Sequence, residues 1–281
     1  MGVVQIAALW EDSPCPEATA AFGCTEAGKP MNGFAPIPRL EGVVELLDRA
    51  DNPDAEVRES LRDLERLNRY FGGVRTILLH LRRMIAGNPR APLAILDVAT
   101  GAADIPRAIC RWARRRGLSV TIEALDRSPQ AVGAATAWAA DYPELRVRRA
   151  EAPSLAYPDR SFDVVISSLF LHHLSEDQGV RLLREMARIA RRGVIVNDLR
   201  RSRMACALTA LATRLLSPNR LTRHDGPMSI RRGFRPEELR RMAARAGLAP
   251  ARTSRHPWFR LALVADTVPM SRDLGLETQD R

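Results

Sequence analysis

Residues 93–104 read LAILDVATGAAD. An apolar run as long as a buried strand leads into a turn of small residues, and a helical pattern opens at Asp104. Gly101 in the turn has no side chain, so the backbone there can approach a ligand closely. A strand, a tight turn and a helix in this order begin a unit of a parallel α/β sheet.

The rest of the chain repeats this alternation. Strands are predicted at 93–99, 119–125, 146–150, 162–167, 193–198, 250–256 and 259–265, and helices at 104–116, 129–140, 176–190 and 236–246. Strands separated by helices of this length predict an α/β fold, namely a Rossmann-like, mostly parallel seven-stranded sheet with helices on both faces.

Other segments complete the predicted organisation. Residues 1–38 have no clear period, so we expect a poorly ordered N-terminal segment, whereas residues 39–88 carry apolar residues at helical intervals and predict a helical cap. Residues 89–281 form the predicted main domain, with an insertion at 199–235 that holds an amphipathic stretch, Met204–Leu216. Because open α/β sheets bind ligands at the carboxyl ends of their strands, the insertion and the cap are predicted to wall the ligand pocket.

The charge of the chain comes almost entirely from arginine. The net charge is +10, and Lys29 is the only lysine among 43 basic residues. A bias so uniform indicates genome composition and solvated helix faces, with a phosphate-binding surface as the alternative. Aromatic residues make up 5% of the chain and do not interleave with basic ones, so nucleic acid is not expected as a partner.

The cysteines and the amino terminus bear on the cellular setting. The four cysteines are scattered (Cys15, Cys24, Cys110 and Cys206), so neither a metal site nor a disulfide framework is predicted. The opening MGVVQIAALWED lacks the basic start of a signal peptide, and no uncharged apolar run reaches the roughly 18 to 20 residues of a membrane span. We therefore expect a cytoplasmic protein without a transmembrane segment.

Three acidic residues stand at predicted strand ends. Asp97 lies in an apolar strand, where burial without a partner is costly, so a hydrogen-bonding role is expected. Asp126 ends the second strand, where its carboxylate can accept from two ribose hydroxyls or act as a helix N-terminal acid. Glu151 follows the third strand and can accept from the amine of an adenine or lie at the surface. The pattern is typical of an adenosine-containing cofactor.

Four stretches, LDVATGAAD, ALDRSP, AEAPSLAYPDRSFDVV and SSLFLHHL, occur in that order. Over residues 90–265 the chain resembles class I S-adenosylmethionine-dependent methyltransferases, nearest to the ubiquinone and menaquinone-biosynthesis type. The resemblance implies S-adenosylmethionine as cofactor and a binding set made of Asp97, Ala99, Gly101, Asp126, Arg127, Glu151, Ala152, Ser167 and Ser168.

Within that set the resemblance implies distinct contacts. The segment from Asp97 to Gly101 would hold the methionine end, Asp126 the ribose, and Glu151 with Ala152 the adenine. Ser167 and Ser168 would line the far side of the cofactor, with strand-end capping as the alternative. The turn in this chain departs from the family's glycine-rich pattern, because Ala99 and Ala103 stand where the first and third glycines are usual.

The histidines supply the candidate acid and base groups. His173 and His224 are predicted as catalytic bases, the latter because Asp225 follows it directly and a carboxylate can orient an imidazole. His172, Asp198 and Arg201 are predicted to contact the acceptor. For both histidines after the fourth strand, the alternative is a hydrogen-bonded scaffold role, and for Asp198 it is capping.

These observations predict a methyltransferase that acts on oxygen or carbon of a small aromatic, quinone-like or polyketide-type acceptor. The alternatives are an RNA methyltransferase, suggested by the arginines, and a cofactor-binding partner protein without turnover. The stretch Met204–Leu216 also allows contact with a membrane surface, from which a lipophilic acceptor would arrive. The oligomeric state stays open, with a homodimer among the options.

Overall fold

The computed structural model describes residues 37–88, 90–152, 155–248 and 250–267. Of the segment 1–38, which the sequence predicts to be poorly ordered, residues 1–36 lie outside the described part of the chain.

A seven-stranded sheet forms the centre of the fold, as the sequence predicts. Its strands are β1 (Leu93–Val98), β2 (Val120–Asp126), β3 (Leu145–Arg149), β4 (Phe162–Ser168), β5 (Ala190–Leu199), β6 (Ala251–His256) and β7 (Arg260–Asp266). Their order is β3-β2-β1-β4-β5-β7-β6, with β1 to β5 parallel and β7 antiparallel to both of its neighbours. From β1 to β3 successive strands are added on one side of β1, and β4 and β5 are added on its other side. The carboxyl ends of β1 and β4 therefore border a crevice.

Eight helices accompany the sheet within the described ranges. They are α1 (Asp54–Tyr70), α2 (Gly73–Met84), α3 (Asp104–Arg114), α4 (Pro129–Trp138), α5 (Glu176–Ile189), α6 (Arg203–Leu216), α7 (Arg220–Arg232) and α8 (Pro236–Arg245). Strand side chains alternate between faces, so Ile95 belongs to the buried cluster that includes side chains of α2 and α3, while its neighbour Leu96 belongs to the cluster that includes side chains of α5 and α8. Both faces are thereby covered, as a parallel sheet requires.

The helical cap differs from its predicted extent at α2. Ile77 and Leu81 of α2 are completely buried in the same core cluster as Ile95 and Ile195 of the sheet. Their apolar stripe therefore covers the sheet, and α2 belongs to the main layer although it falls within the predicted cap at 39–88.

A smaller cap stands over the strand ends. It consists of the short turn Leu46–Asp48 with helices α1, α6 and α7. The backbone N–H groups of Leu46 and Leu47 donate to the two carboxylate oxygens of Asp225 in α7, both at 2.8 Å. A Cβ on Gly226 would lie 2.7 Å from Thr213, so this glycine is what lets α7 approach α6. In the part of the chain that the structure describes, no helix is long and apolar enough to cross a bilayer.

Candidate active site

A cavity of about 1060 Å³ lies between the strand ends and the cap. The loops after β1, β2, β3 and β4 form its floor, and the turn Leu46–Asp48 with α1, α6 and α7 forms its roof. Of the predicted cofactor residues it is lined by Asp97, Ala99, Gly101, Asp126, Arg127, Glu151, Ala152 and Ser168. The topology thus brings together residues that are up to about 70 positions apart in the sequence.

The turn after β1 adopts a left-handed backbone at three alternate positions. The φ angles are +59° at Ala99, +55° at Gly101 and +53° at Ala103. A left-handed backbone is sterically unfavourable for alanine but not for glycine. The turn therefore has a backbone conformation typical of glycine although two of the three residues are alanine. A Cβ on Gly101 would meet only Leu61, at 3.9 Å, so the glycine faces open cavity.

Asp126 ties this turn to the end of β2. Its Oδ2 accepts from the backbone N–H of Gly101 at 2.8 Å, and its Oδ1 accepts from that of Ser128 at 2.9 Å. Burial raises the pKa of Asp126 against the effect of these two donors. Since each carboxylate oxygen can accept twice, the group holds the turn and still has lone pairs for ribose hydroxyls.

Asp97 has one carboxyl oxygen that is available to a ligand. Its Oδ2 accepts from the Thr100 hydroxyl at 2.6 Å, while its Oδ1 is buried without a hydrogen-bond partner among the described residues. Burial raises the pKa of Asp97 to about 8, and the nearby carboxyls of Asp104 and Asp126 add to the rise. A buried carboxylate oxygen that borders a cavity is suited to a cationic donor, such as the ammonium of an amino-acid ligand.

The two serines at the end of β4 have different environments. Ser167 is buried, donates to the carbonyl of Val98 at 3.0 Å and is absent from the cavity lining, so it joins β4 to β1. Ser168 lines the cavity, and its hydroxyl accepts from the amide of Asn197 at 2.8 Å.

His172 is buried at the centre of a polar cluster. Its Nδ1 lies 2.6 Å from Oδ1 of Asp198, and its backbone N–H donates to Oδ2 of the same residue at 2.9 Å. Its Nε2 faces Glu45 at 3.5 Å. Burial alone would lower the pKa of His172, but the charges of Asp198 and Glu45 outweigh it and raise the pKa to about 9.

His173 is more accessible and also lines the cavity. Its Nδ1 lies 2.9 Å from Oδ2 of Asp48, which in turn pairs with Arg127 at 3.2 Å. Burial would raise the pKa of Asp48, but His173 and Arg127 outweigh it and lower the pKa to about 2. Asp48 therefore stays ionised and orients the ring of His173.

Besides Ser167, three of the predicted residues do not border the cavity. His224 does bond to Asp225, at 2.8 Å, but the face of α7 that meets the cavity carries Thr222, Asp225 and Ser229, which recur at helical spacing and leave His224 off that face. Asp198 lies behind His172 and positions it. The predicted acceptor contact Arg201 is buried elsewhere.

Arg201 joins the cap to the main domain. Its guanidinium donates to the carbonyls of Ile37 and Gly233 at 3.1 and 2.8 Å and pairs with Glu238 at 2.6 Å. Each of its three guanidinium nitrogens bonds to a protein group, and the residue does not line the cavity, which corrects its predicted role at the acceptor.

Like Asp48, Glu45 is a site residue that sequence reasoning missed. It is 4% exposed, lines the cavity, and accepts from the Ser229 hydroxyl at 3.0 Å beside Arg232 at 3.4 Å. The only sequence signal is a single acid within the apolar run VVELL at 43–47. Burial would raise the pKa of Glu45, but the facing imidazoles of His172 and His173 with Arg232 lower it.

Comparisons with known proteins agree with this geometry. Residues 95–193 match the sequence model of a methyltransferase domain family. The chain therefore carries a methyltransferase domain within its Rossmann-like sheet. Its cofactor is S-adenosylmethionine, for which the Asp97 carboxylate, the open turn at Gly101 and the Asp126 carboxylate provide matching groups.

Solved structures share the fold of this domain at low sequence identity. A SAM-dependent methyltransferase from Aquifex aeolicus is 17% identical with a TM-score of 0.54, covering 75% of this chain and 98% of that one. The CurJ carbon methyltransferase is 14% identical with a TM-score of 0.55, covering 79% and 63%. Human N-acetylserotonin methyltransferase is 15% identical with a TM-score of 0.53, covering 76% and 56%. A search of curated protein sequences finds no significant match.

Proposed function

We propose that this methyltransferase transfers the methyl group of S-adenosylmethionine to an oxygen or carbon atom of a small aromatic, quinone-like or polyketide-type acceptor. The observation that carries the proposal is the cavity of about 1060 Å³, whose floor carries the residues proposed for the cofactor and whose roof is largely apolar. The volume lies at or above the upper end of ordinary small-molecule sites, roughly 300 to 1,000 Å³, as a site for two ligands requires.

The floor residues divide the work of binding the cofactor. Asp97 is suited to the ammonium of the methionine end, the backbone at Gly101 to close approach, and Asp126 to the ribose hydroxyls. Glu151 and Ala152 line the same cavity beyond β3, where the adenine contacts are proposed. The bound cofactor supplies an electrophilic methyl group on a sulfonium.

The roof favours an apolar acceptor. The cavity is lined by Leu64, Leu208 and Leu211 from the roof, by Phe170 after β4 and by Trp258 between β6 and β7. Apolar and aromatic linings with few placed polar groups are typical of sites for flat, hydrophobic molecules. Because displacement at a methyl group depends mainly on alignment, a close-fitting apolar wall contributes by holding the acceptor atom in line.

His172 and His173 line the cavity, and the Nε2 atoms of both rings lie on the side of Glu45. The acceptor must lose a proton from oxygen or carbon as the new bond forms. His173 can accept that proton, and the charged ring of His172 can stabilise the negative charge that develops on the acceptor. Asp198 and Asp48 hold the two rings through Nδ1 and fix which nitrogen meets the acceptor.

The surplus of arginine is weak support for an RNA acceptor. Many arginines pair with carboxylates, as in Arg114 with Glu144, Arg188 with Asp159 and Arg245 with Asp177, each at 2.6 Å. A guanidinium held by a carboxylate is less free to neutralise phosphate.

The test is methyl transfer from S-adenosylmethionine labelled in the methyl group. Phenols, hydroquinones and β-dicarbonyl compounds are supplied as acceptors, and products are identified by mass spectrometry as gaining one methyl group. We expect transfer to at least one of these classes and none with Asp126→Ala. Transfer to RNA alone, or binding of the cofactor without transfer to any acceptor class, would overturn the proposal.

A matched pair of variants tests the apolar wall. Leu211 and Met204 lie on the same helix and are both exposed, at 53% and 62%, but only Leu211 lines the cavity. Leu211→Asp is expected to raise KM for the acceptor about tenfold or more, because a carboxylate would be desolvated against an apolar molecule. Met204→Asp is expected to leave KM unchanged.

A further inference from the structure

Glu45, His172 and His173 bring three potential ligand atoms together on one wall of the cavity. One carboxylate oxygen and one nitrogen from each ring all lie within 4.8 Å of one another. The three residues come from two separate parts of the chain, the turn before Leu46 and the loop after β4, and all three line the cavity.

Each imidazole is oriented by a carboxylate behind it. Nδ1 of His172 lies 2.6 Å from Asp198, and Nδ1 of His173 lies 2.9 Å from Asp48. With Nδ1 of each ring held by a carboxylate, Nε2 is the nitrogen left for a metal ion, which on binding takes the place of any proton there. A carboxylate behind a histidine is also the usual support of a histidine that binds a metal ion.

The spacing at the centre of the group is too wide for direct bonds. Nε2 of His172 lies 3.5 Å from Oε1 of Glu45, and Nε2 of His173 lies 3.8 Å from its Oε2. An N–H···O bond spans about 2.7 to 3.2 Å. Two ligands of one tetrahedral zinc ion, each about 2.0 to 2.2 Å from the metal, stand roughly 3.3 to 3.6 Å apart, which matches the first distance and needs a small rotation of His173 for the second.

The charge around the group also favours a cation. Three carboxylates, Glu45, Asp48 and Asp198, surround the two rings, while Arg232 and Arg127 contact this cluster from its sides at 3.4 and 3.2 Å. A bound divalent cation would add positive charge where the carboxylates converge.

We propose that Glu45, His172 and His173 bind one divalent transition-metal cation of the zinc or iron(II) class. Two imidazoles and one carboxylate are the ligand types of catalytic sites for these ions, which keep further coordination positions open. Here the open positions face the cavity, since all three ligands line it.

The catalytic consequence rests on the proposed function, with the bound cation replacing the two free imidazoles as the group that acts on the acceptor. An acceptor hydroxyl or enol oxygen bound to the cation loses its proton to solvent more readily, because the cation stabilises the resulting oxyanion. That oxygen, or its conjugated carbon, then forms the bond to the methyl group as the methyl–sulfur bond breaks, and the sulfonium becomes a neutral thioether.

The test measures metal binding without turnover. Chelator-treated, dialysed full-length protein is titrated with Zn²⁺ by calorimetry and with Co²⁺ by visible absorption, which reports tetrahedral nitrogen and oxygen ligation. We expect one equivalent to bind, and Glu45→Gln and His173→Gln each to weaken binding by about 10- to 100-fold or more. Circular dichroism and S-adenosylhomocysteine binding show that each variant is folded.

The chain offers a matched control in a second histidine pair. Nε2 of His80 and Nε2 of His256 lie 3.0 Å apart beside Ser254, away from the cavity lining. His256→Gln should leave binding intact. No binding by the wild type, or binding that survives in His173→Gln and vanishes in His256→Gln, would overturn the proposal.

Activity separates the binding site from its role. If methyl transfer is found, chelation should lower it at least tenfold and Zn²⁺ or Fe²⁺ should restore it. Transfer that is unchanged by chelation would overturn the role of the cation at the acceptor and leave the proposed function standing, whereas metal binding without any transfer would overturn the proposed function alone.

Discussion

Replacing Asp97 by asparagine removes a carboxyl group that burial holds in its neutral form. Asp97 is 2% exposed, and burial raises its pKa from 3.8 to about 8 in the folded protein without cofactor. Asparagine has nearly the same shape and can still accept from the Thr100 hydroxyl, which donates to Asp97 at 2.6 Å. The substitution therefore changes the titration and little else in the unliganded protein.

The expected effect follows from proton linkage. Between pH 3.8 and about 8 the folded state holds a proton on Asp97 that the unfolded state has lost, so the contribution of this group to stability falls as pH rises through that window. Each pH unit is equivalent to about 1.4 kcal/mol, so the wild type should lose about 3 kcal/mol relative to Asp97→Asn between pH 5 and pH 7.

Urea unfolding of both proteins at pH 5 and pH 7, without cofactor, gives the free energy of unfolding of each. The quantity compared is the change with pH in the gap between wild type and Asp97→Asn. The exposed Asp159→Asn variant serves as a control for loss of one surface charge, and its difference from wild type should change little. If the gap between wild type and Asp97→Asn stays constant from pH 5 to pH 7, Asp97 is not held neutral and the reasoning about its unmet partner is wrong.

Further substitutions test the turn, the cofactor linkage and the cap. Ala99→Gly should stabilise the protein by up to about 1 kcal/mol in urea unfolding, because φ is +59° there. Gly101→Ala should destabilise it by about 1 to 2 kcal/mol and weaken S-adenosylhomocysteine binding at least tenfold. Equal affinity of this variant and the wild type would contradict close approach of the cofactor to Gly101. Binding of S-adenosylmethionine at pH 7 should release protons from Asp97, seen as a dependence of the calorimetric enthalpy on buffer, and Asp97→Asn should abolish that dependence. Arg201→Ala should lower stability by about 3 kcal/mol by leaving Glu238 and two carbonyls without their partner, while cofactor affinity at fully folded conditions stays the same; a selective loss of acceptor binding would restore its predicted contact role.

The sheet and its cofactor edge were predictable because their signals are local. A run such as LAILDV followed by ATGAAD combines strand composition, turn residues and a helix start within twelve positions. The same rule places Asp126 and Ser168 at strand ends, and parallel strands bring those ends to one edge of the sheet. The residues proposed for the cofactor therefore lie at strand ends that the sequence pattern and the family resemblance indicate.

The acceptor side could not be predicted in the same way, because its contacts join distant segments. Glu45 and His172 are more than a hundred residues apart in the sequence, and neither residue type nor spacing predicts that they lie together. Helix α7 contains Gly226 and Pro227, which argue against a helix locally, although packing against α6 and α1 overrides them. Adjacency of His224 and Asp225 predicted their bond correctly but not that only Asp225 would face the cavity.

The most direct measurement for the whole account is calorimetric titration of the wild type and of Asp126→Ala with S-adenosylhomocysteine. The carboxylate of Asp126 both holds the turn at Gly101 and lines the cavity. The account predicts one binding site in the wild type and an affinity at least tenfold weaker in the folded variant. Absence of binding to the wild type, or equal binding to the variant, would contradict the claim that this cavity at the strand ends holds the methyl donor.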